Sequence, residues 1–329
     1  MKNKLIQWLN QYWYREKKPS WWLQPLAFCY QMIQTWDKHR QLAIHSPLPV
    51  LVVGNLTVGG TGKTPVVIAI CHYLQQQGIR VGVVTRGYKN QLSDFPYLVK
   101  VNDDASLIGD EAALIAQKTQ VPVVIAPKRN QAIEYLHQHQ LCDWIISDDG
   151  LQHYAMARHL EIIVIDGTRG FGNGALLPIG PLRESLGRLA QADFILINGT
   201  PSPSLKDSLQ VYADKTYLMQ LEPEAIMPED LPQETIAAFA GIGHPERFFK
   251  TLRDLNIQHQ AYSFPDHHRF VKKDFDIPES CIIMTEKDAI KCRQFHEKPI
   301  YYLPISANIP SNFWEKILNS MSLNPCVQK

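Results

Sequence analysis

The chain has 329 residues, 45% of them hydrophobic and 20% charged, and a formal net charge of +1. That length suits about two domains, and so balanced a charge gives no global field to draw in nucleic acid, so no nucleic-acid partner is expected. The cysteines Cys29, Cys71, Cys142, Cys281, Cys292 and Cys326 form no C-x-x-C pair, which argues against a zinc or dithiol site and suits a reducing compartment.

The first 45 residues differ from the rest. Trp8, Trp13, Trp21, Trp22 and Trp36 lie there, and Lys2, Lys4, Arg15, Lys17 and Lys18 face only Glu16 in the first twenty positions. The apolar stretch from Pro25 to Ile33 is too short for a spanning helix, which needs roughly 20 apolar residues. It lacks the apolar core and the small-residue site of a signal peptide. Leu26, Cys29, Ile33 and Trp36 share one helical face. Tryptophan, tyrosine and lysine settle at a lipid headgroup boundary. Two readings follow: an amphipathic element on an anionic membrane surface, or a helix packed on the protein with its tryptophans inward.

Pro49 to Val53 is a short apolar run ending at Gly54, as a buried strand should. Thr57-Val58-Gly59-Gly60-Thr61-Gly62-Lys63-Thr64 follows, then a helical stretch to about residue 77. The phosphate-loop pattern is G-x-x-x-x-G-K-[ST], and only its first glycine is missing, with Thr57 in that place. In such a loop, backbone N–H groups and the helix N-terminus face phosphates. Lys63 then reaches the β- and γ-phosphates and Thr64 holds Mg²⁺. ATP or GTP binding is expected.

Further apolar runs occur at 79–84, 97–101, 121–126, 142–147, 160–165 and 193–198, with helical stretches at 110–118 and 128–139. This alternation predicts a P-loop-type α/β core with a parallel sheet. The proline-, serine- and acid-rich stretch 199–234 reads as a boundary. A second, smaller α/β unit begins at Thr235, with a helix over 245–255 and strands at 281–285 and 299–303. The predicted division is 1–45, 46–225 and 226–329.

Several polar groups stand at expected strand ends. Asp148 and Asp149 close the run Trp144-Ile145-Ile146, where a phosphate-loop enzyme places its Mg²⁺-facing aspartate. Adjacent residues of an extended chain point to opposite sides, which sends one acid to metal and one to substrate. His153 follows at the same edge. Asp110 and Glu111 open a helix, where the dipole alone favours acids. Arg183 sits in the Pro/Gly loop 176–184, suited to a transferring phosphoryl group or to a surface ion pair with Glu184. Arg86-Gly87-Tyr88 ends another strand. His267 and His268 beside Asp266 can pair with a carboxylate. Local reasoning alone favours Asp149 over Asp110 as a base.

Taken in order, Thr57–Thr64 with Pro65, Arg86-Gly87-Tyr88, Gly109-Asp110-Glu111, Asp148-Asp149-Gly150-Leu151-Gln152-His153, Gly180 to Glu184, Asp266-His267-His268 and Thr285 to Asp288 form a specific series. The chain resembles the tetraacyldisaccharide 4'-kinases, the lipid A 4'-kinases of Gram-negative bacteria, over nearly its whole length. Serine or threonine at the Thr57 position is usual in that family. The resemblance implies a two-domain α/β enzyme that moves the ATP γ-phosphoryl group to the 4'-hydroxyl of an acylated glucosamine disaccharide 1-phosphate. It implies Asp110 as general base with His267 as its dyad partner, and leaves His268 open as that partner. Lys63 and Arg183 would stabilise phosphate charge, and Thr64, Glu111, Asp148 and Asp149 would hold or position Mg²⁺. A lipid acceptor makes membrane docking the favoured reading of residues 1–45, at the cytoplasmic face of the inner membrane. The competing readings are a switch ATPase, a soluble small-molecule kinase or ligase, and a membrane scaffold.

Overall fold

A computed structural model describes residues 9, 11–14, 21–41, 44–232 and 234–322. Lys2, Lys4, Trp8, Arg15, Glu16, Lys17, Lys18 and Cys326, singled out above, lie outside the described residues. Helix α1 (Gln24–Arg40) precedes strand β1 (Val50–Gly54), which runs through the glycine loop into α2 (Lys63–Gln76). Next come β2 (Val81–Thr85), β3 (Tyr97–Leu98), α3 (Ala105–Ile108), α4 (Asp110–Thr119), β4 (Val123–Ile125), α5 (Arg129–Gln138), β5 (Trp144–Asp148), β6 (Leu160–Asp166) and β7 (Phe194–Asn198). Then follow α6 (Pro203–Leu209), β8 (Thr216–Pro223), β9 (Ile236–Ala240), α7 (Pro245–Asp254), β10 (His259–Ser263), β11 (Ile282–Thr285) and α8 (Glu286–Ala289). The last elements are β12 (Ile300–Leu303), β13 (Ile305–Asn308) and α9 (Ser311–Ser322).

The large sheet has the order β13-β8-β7-β6-β1-β5-β2-β4-β3. Every pairing between β8 and β4 is parallel, and the edge strands β13 and β3 are antiparallel. β1, β2, β5, β6 and β7 are buried at every position. A sheet covered on both faces demands continuous Val/Ile/Leu runs in place of alternation. The smaller sheet, β10-β9-β11-β12, is wholly parallel. The core is therefore an α/β phosphate-loop architecture with a smaller α/β unit beside it.

Three expectations need correcting. The stretch 199–234 is not a plain boundary: it contains α6 and β8, and β8 pairs in parallel with β7. The smaller unit does not run from 226 to 329. β13 pairs with β8, and Phe313, Ile317 and Met321 of α9 lie in the large core beside Phe194 and Tyr217. The physical cause is aromatic packing: Phe313 meets Phe194 and Tyr217 edge-on at 5.3 and 5.5 Å. The strand expected over 97–101 shortens to Tyr97–Leu98, because Asp103 draws the chain into a turn by accepting from the Lys100 N–H at 2.8 Å.

Helix α1 rests on the protein through polar groups. Gln34 donates to the Arg183 carbonyl and to the Tyr30 hydroxyl, and the Lys38 ammonium lies 5.1 Å over the Tyr154 ring. Leu26, Phe28, Met32, Ile33 and Trp36 are all exposed, Ile33 by 64% and Trp36 by 61%. The usual amphipathic arrangement is thus reversed, and the tryptophan on this helix does not point into the core. Among the described residues no helix is long and apolar enough to cross a membrane.

Candidate active site

The glycine loop is held from three sides. Asn55, fully buried after β1, donates to the carbonyls of Thr57 and Gly59 at 2.8 and 3.2 Å. Asn198 at the end of β7 donates to the Thr61 carbonyl at 3.1 Å. The Val58 N–H donates to Pro181 at 2.9 Å and Thr57 bridges to Leu182, so the Pro/Gly loop lies antiparallel along the glycine loop. Gly59 and Gly62 have φ of +109° and +96°, a region costly for any side chain. Thr57 is absent from the left-handed positions, so a Cβ is tolerated there. That explains threonine in place of the first glycine.

Asp149 bridges two cations. Its carboxylate lies 3.4 Å from Lys63 Nζ and 3.1 Å from Arg183 Nη1. Burial alone raises its pKa, but Lys63 and Arg183 outweigh that and hold it at about 2. The idea that Asp148 and Asp149 project from one extended strand does not hold. Asp148 ends β5, whereas Asp149 has left-handed φ of +47° and sits in a turn. Such outliers persist where surrounding contacts over-determine them, and cluster at functional sites.

Asp148 is buried, and neither carboxylate oxygen has a hydrogen-bond partner among the described residues. Burial, with the charges of Glu111 and Asp149, pushes its pKa up to about 7. A buried carboxylate with free oxygens, within the electrostatic reach of Glu111 and Lys63, is a hard-oxygen donor suited to Mg²⁺. Among the described residues no group of three or more His, Cys, Asp or Glu side chains forms a metal cluster of its own.

The third cluster joins the two units. Gly109, with φ of +94°, lets α4 begin against the Tyr88 carbonyl, where a Cβ would come within 2.8 Å. This close approach ties Arg86-Gly87-Tyr88 to Gly109-Asp110-Glu111. Asp110, first residue of α4, accepts from His267 Nδ1 at 3.0 Å. Lys291 Nζ lies 3.7 Å from the same Asp110 oxygen. Burial would raise the Asp110 pKa, but the His267 hydrogen bond, with Lys291 and Lys287, more than offsets it and keeps the carboxyl below its ordinary range. Tyr88 packs edge-on against the His267 ring at 5.3 Å. Glu111 pairs with Lys287 at 3.3 Å. His268 instead meets Asp274 at 2.9 Å, so of the two adjacent histidines His267 is the one beside Asp110.

The structure therefore gathers Lys63, Asp149 and Arg183 in one cluster and Asp110 with His267 in another, while Glu111 and Asp148 interact electrostatically. Sequence reasoning missed Asn55 and Asn198, and gave Gln152 no role of its own within the motif that follows β5. Gln152 accepts from Arg183 at 3.3 Å and donates to Glu184 at 2.9 Å, which fixes the Arg183 side chain. The only sequence signal of Asn55 and Asn198 was position at or just beyond a strand end.

The family model for the tetraacyldisaccharide-1-P 4'-kinases matches residues 19–322. The chain belongs to this family. A tetraacyldisaccharide 4'-kinase of Legionella pneumophila strain Corby is 45% identical over 326 residues, covering 96% of this chain and 98% of its own. One from Hahella chejuensis is 40% identical over 333 residues, covering 95% and 96%. Among solved structures, LpxK from Aquifex aeolicus in complex with ATP superposes with a TM-score of 0.73 at 26% identity, covering 91% of this chain and 97% of that one. The tetraacyldisaccharide 4'-kinase likeness thus spans both sheets, including the β13–α9 return to the large one.

Proposed function

We propose that this chain transfers the γ-phosphoryl group of ATP to the 4'-hydroxyl of a tetraacyldisaccharide 1-phosphate, a step in making lipid A. The contact that carries this reading is Asp110 to His267: a carboxylate at the start of α4 held by a histidine of the smaller unit, next to Glu111, whose charge acts on Asp148 together with that of Lys63. Asp110 takes the proton from the 4'-hydroxyl as its oxygen attacks phosphorus. His267 donates from Nδ1 and keeps one carboxylate oxygen turned to the acceptor. A carboxylate with a depressed pKa is a weak base, so its main work is orienting the hydroxyl, with proton transfer late. Positioning and charge stabilisation then dominate the barrier.

The backbone of Thr57–Thr64 cradles the phosphates. Lys63 and Arg183 offset charge on the transferring group, and Asp149 yields them to it. Thr64, Glu111 and Asp148 would hold Mg²⁺, which supplies charge neutralisation between the β- and γ-phosphates. The 4'-phosphate product and ADP leave together with one proton.

The acceptor lies in a bilayer, and helix α1 gives a means of reaching it. Its outward Leu26, Phe28, Met32, Ile33 and Trp36, with Lys38, His39 and Arg40 in the last turn, suit an anionic membrane surface. We place the chain at the cytoplasmic face of the inner membrane, where ATP is available, as a peripheral or monotopic protein. The test is incubation with γ-labelled ATP and tetraacyldisaccharide 1-phosphate in anionic vesicles. Label entering the disaccharide at the 4' position is the expected result. Phosphate release at a rate indifferent to the acceptor would overturn the kinase reading in favour of a switch ATPase.

A further inference from the structure

Arg169 lies three residues past β6, the neighbour of β1 on the side away from β5. A Cβ built on Gly59 would meet Arg169 Nη1 at 3.3 Å, so the guanidinium sits against the middle of the glycine loop. Its aim is fixed. The Tyr14 ring lies 4.7 Å beneath it, and the Tyr14 hydroxyl interacts with both Thr57 and Arg169. Its Nη2 donates to His244 Nδ1 of the smaller unit at 3.3 Å.

Among the described residues no carboxylate stands within ion-pair distance of Arg169. Asp166, whose charge acts on it, is already engaged: Oδ1 accepts from the N–H groups of Thr168 and Arg169, each at 3.0 Å, and Oδ2 pairs with Arg247 at 2.7 Å. Burial disfavours the charged form of Arg169. A partly buried guanidinium without its own counter-charge is costly unless an anion meets it. His244 adds a second donor. Its Nδ1 accepts from Arg169, so its ring proton is on Nε2, and that nitrogen is buried without a partner among the described residues.

We propose that Arg169 is a second phosphate-binding arginine, which contacts the terminal phosphate of a bound nucleoside triphosphate from the side opposite Arg183, with His244 of the smaller unit holding it there. The helix end at Gly62–Thr64 takes the inner phosphates, which leaves the lip at Gly59 to border the outer one. Two arginines and Lys63 then surround the transferring group, the arrangement that arginine fingers supply in phosphoryl transfer. The inference rests on the kinase reading for its reaction, though not for its nucleotide.

The test compares Arg169→Ala and Arg169→Lys with the unaltered full-length chain. It measures dissociation constants for ADP and for a non-hydrolysable ATP analogue, and kcat with the acylated disaccharide. In Arg169→Ala we expect kcat to fall about 10²-fold or more, below the 10³ to 10⁵ reported for full arginine fingers. The analogue should bind about tenfold more weakly and ADP within about twofold of the unaltered chain, a terminal-phosphate contact adding to one ligand only. Arg169→Lys keeps the charge without the fork, so it should fold and recover only part of kcat. Equal weakening for ADP and the analogue in Arg169→Lys would overturn the proposal, as would normal kcat in either variant. If the unaltered chain phosphorylates no disaccharide yet the ADP-to-analogue split survives, the kinase reading fails and the arginine assignment stands.

Discussion

Asp110 and His267 meet at 3.0 Å although 157 residues of sequence separate them. One stands at the start of α4 on the large unit and the other in a turn after β10 on the smaller one. Neither sheet alone completes the pair. His267 has a left-handed φ of +58°, so the backbone bears a conformational cost at the point of contact.

The pair makes its own prediction. Asp110→Ala should lower kcat by about 10² to 10⁴, the usual worth of a positioned base, while ATP affinity stays near that of the unaltered chain. His267→Ala should lower kcat less. Groups that act as a unit are non-additive, so the double variant should lose little more than Asp110→Ala alone. Steady-state kinetics on the four proteins checks this, and multiplying losses would show that the two side chains act independently.

Asp149 bridges the cations that the phosphates need. Removing its charge as Asp149→Asn should leave Lys63 and Arg183 unopposed. Nucleotide binding should then tighten or hold steady while kcat falls, because the carboxylate positions the site during transfer. Arg183→Lys should lose the bidentate reach and cost about tenfold or more in kcat. Calorimetric binding set against turnover separates the two effects, and weaker ATP binding in Asp149→Asn would contradict the bridging role.

Helix α1 turns apolar side chains outward, and the prediction is membrane partitioning. An apolar side chain of this size is worth about 1.5 to 3 kcal/mol when fully removed from water. Phe28, Ile33 and Trp36 replaced together by serine should therefore weaken sedimentation with anionic vesicles by at least about tenfold. Turnover on a detergent-dispersed acceptor should change far less. Undiminished sedimentation of the folded triple variant would reject the docking surface.

His153 offers a pH-dependent readout. Burial first, then Arg129, Arg158 and Arg86, lowers its pKa from 6.5 to about 4. The unfolded chain takes up the proton near pH 6.5 and the native chain only near 4. Unfolding therefore binds a proton across that interval, and native stability falls as pH drops through it. Above pH 6.5 the residue contributes no such loss. Thermal midpoints of His153→Gln should decline less between pH 6.5 and 4 than those of the unaltered chain, and parallel curves would show that His153 is no proton sink.

Much of this arrangement was readable from residue order, and the failures have a common cause. The buried parallel strands announced themselves as unbroken apolar runs, and Gly62-Lys63-Thr64 at a strand-to-helix junction has few other uses. Asp110 was obscured because a helix dipole already accounts for an acid at that position. The choice between His267 and His268 depends on a contact with a distant chain segment. Asn55, Asn198 and Arg169 carry no local pattern, since their value comes from what the fold sets beside them. The extent of the smaller unit is hidden for the same reason: nothing in residues 305–322 says which sheet they join.

That return of the chain supplies a last prediction. Phe313 is fully buried on α9, packed among Phe194, Tyr217 and Trp314. If α9 is part of the large core, Phe313→Ala should cost about 3 to 5 kcal/mol, the range for deleting a buried aromatic ring. The loss should fall on the phosphate-loop unit, because α2 packs nearby: Tyr73 stacks on Trp314 with ring centroids 4.4 Å apart. Nucleotide binding should then fail at the same lowered temperature as global unfolding. Were α9 only an appendage of the smaller unit, nucleotide binding would survive Phe313→Ala with an unchanged midpoint. Differential scanning calorimetry with and without ATP distinguishes these outcomes, since ligand stabilisation reports on the unit that binds it.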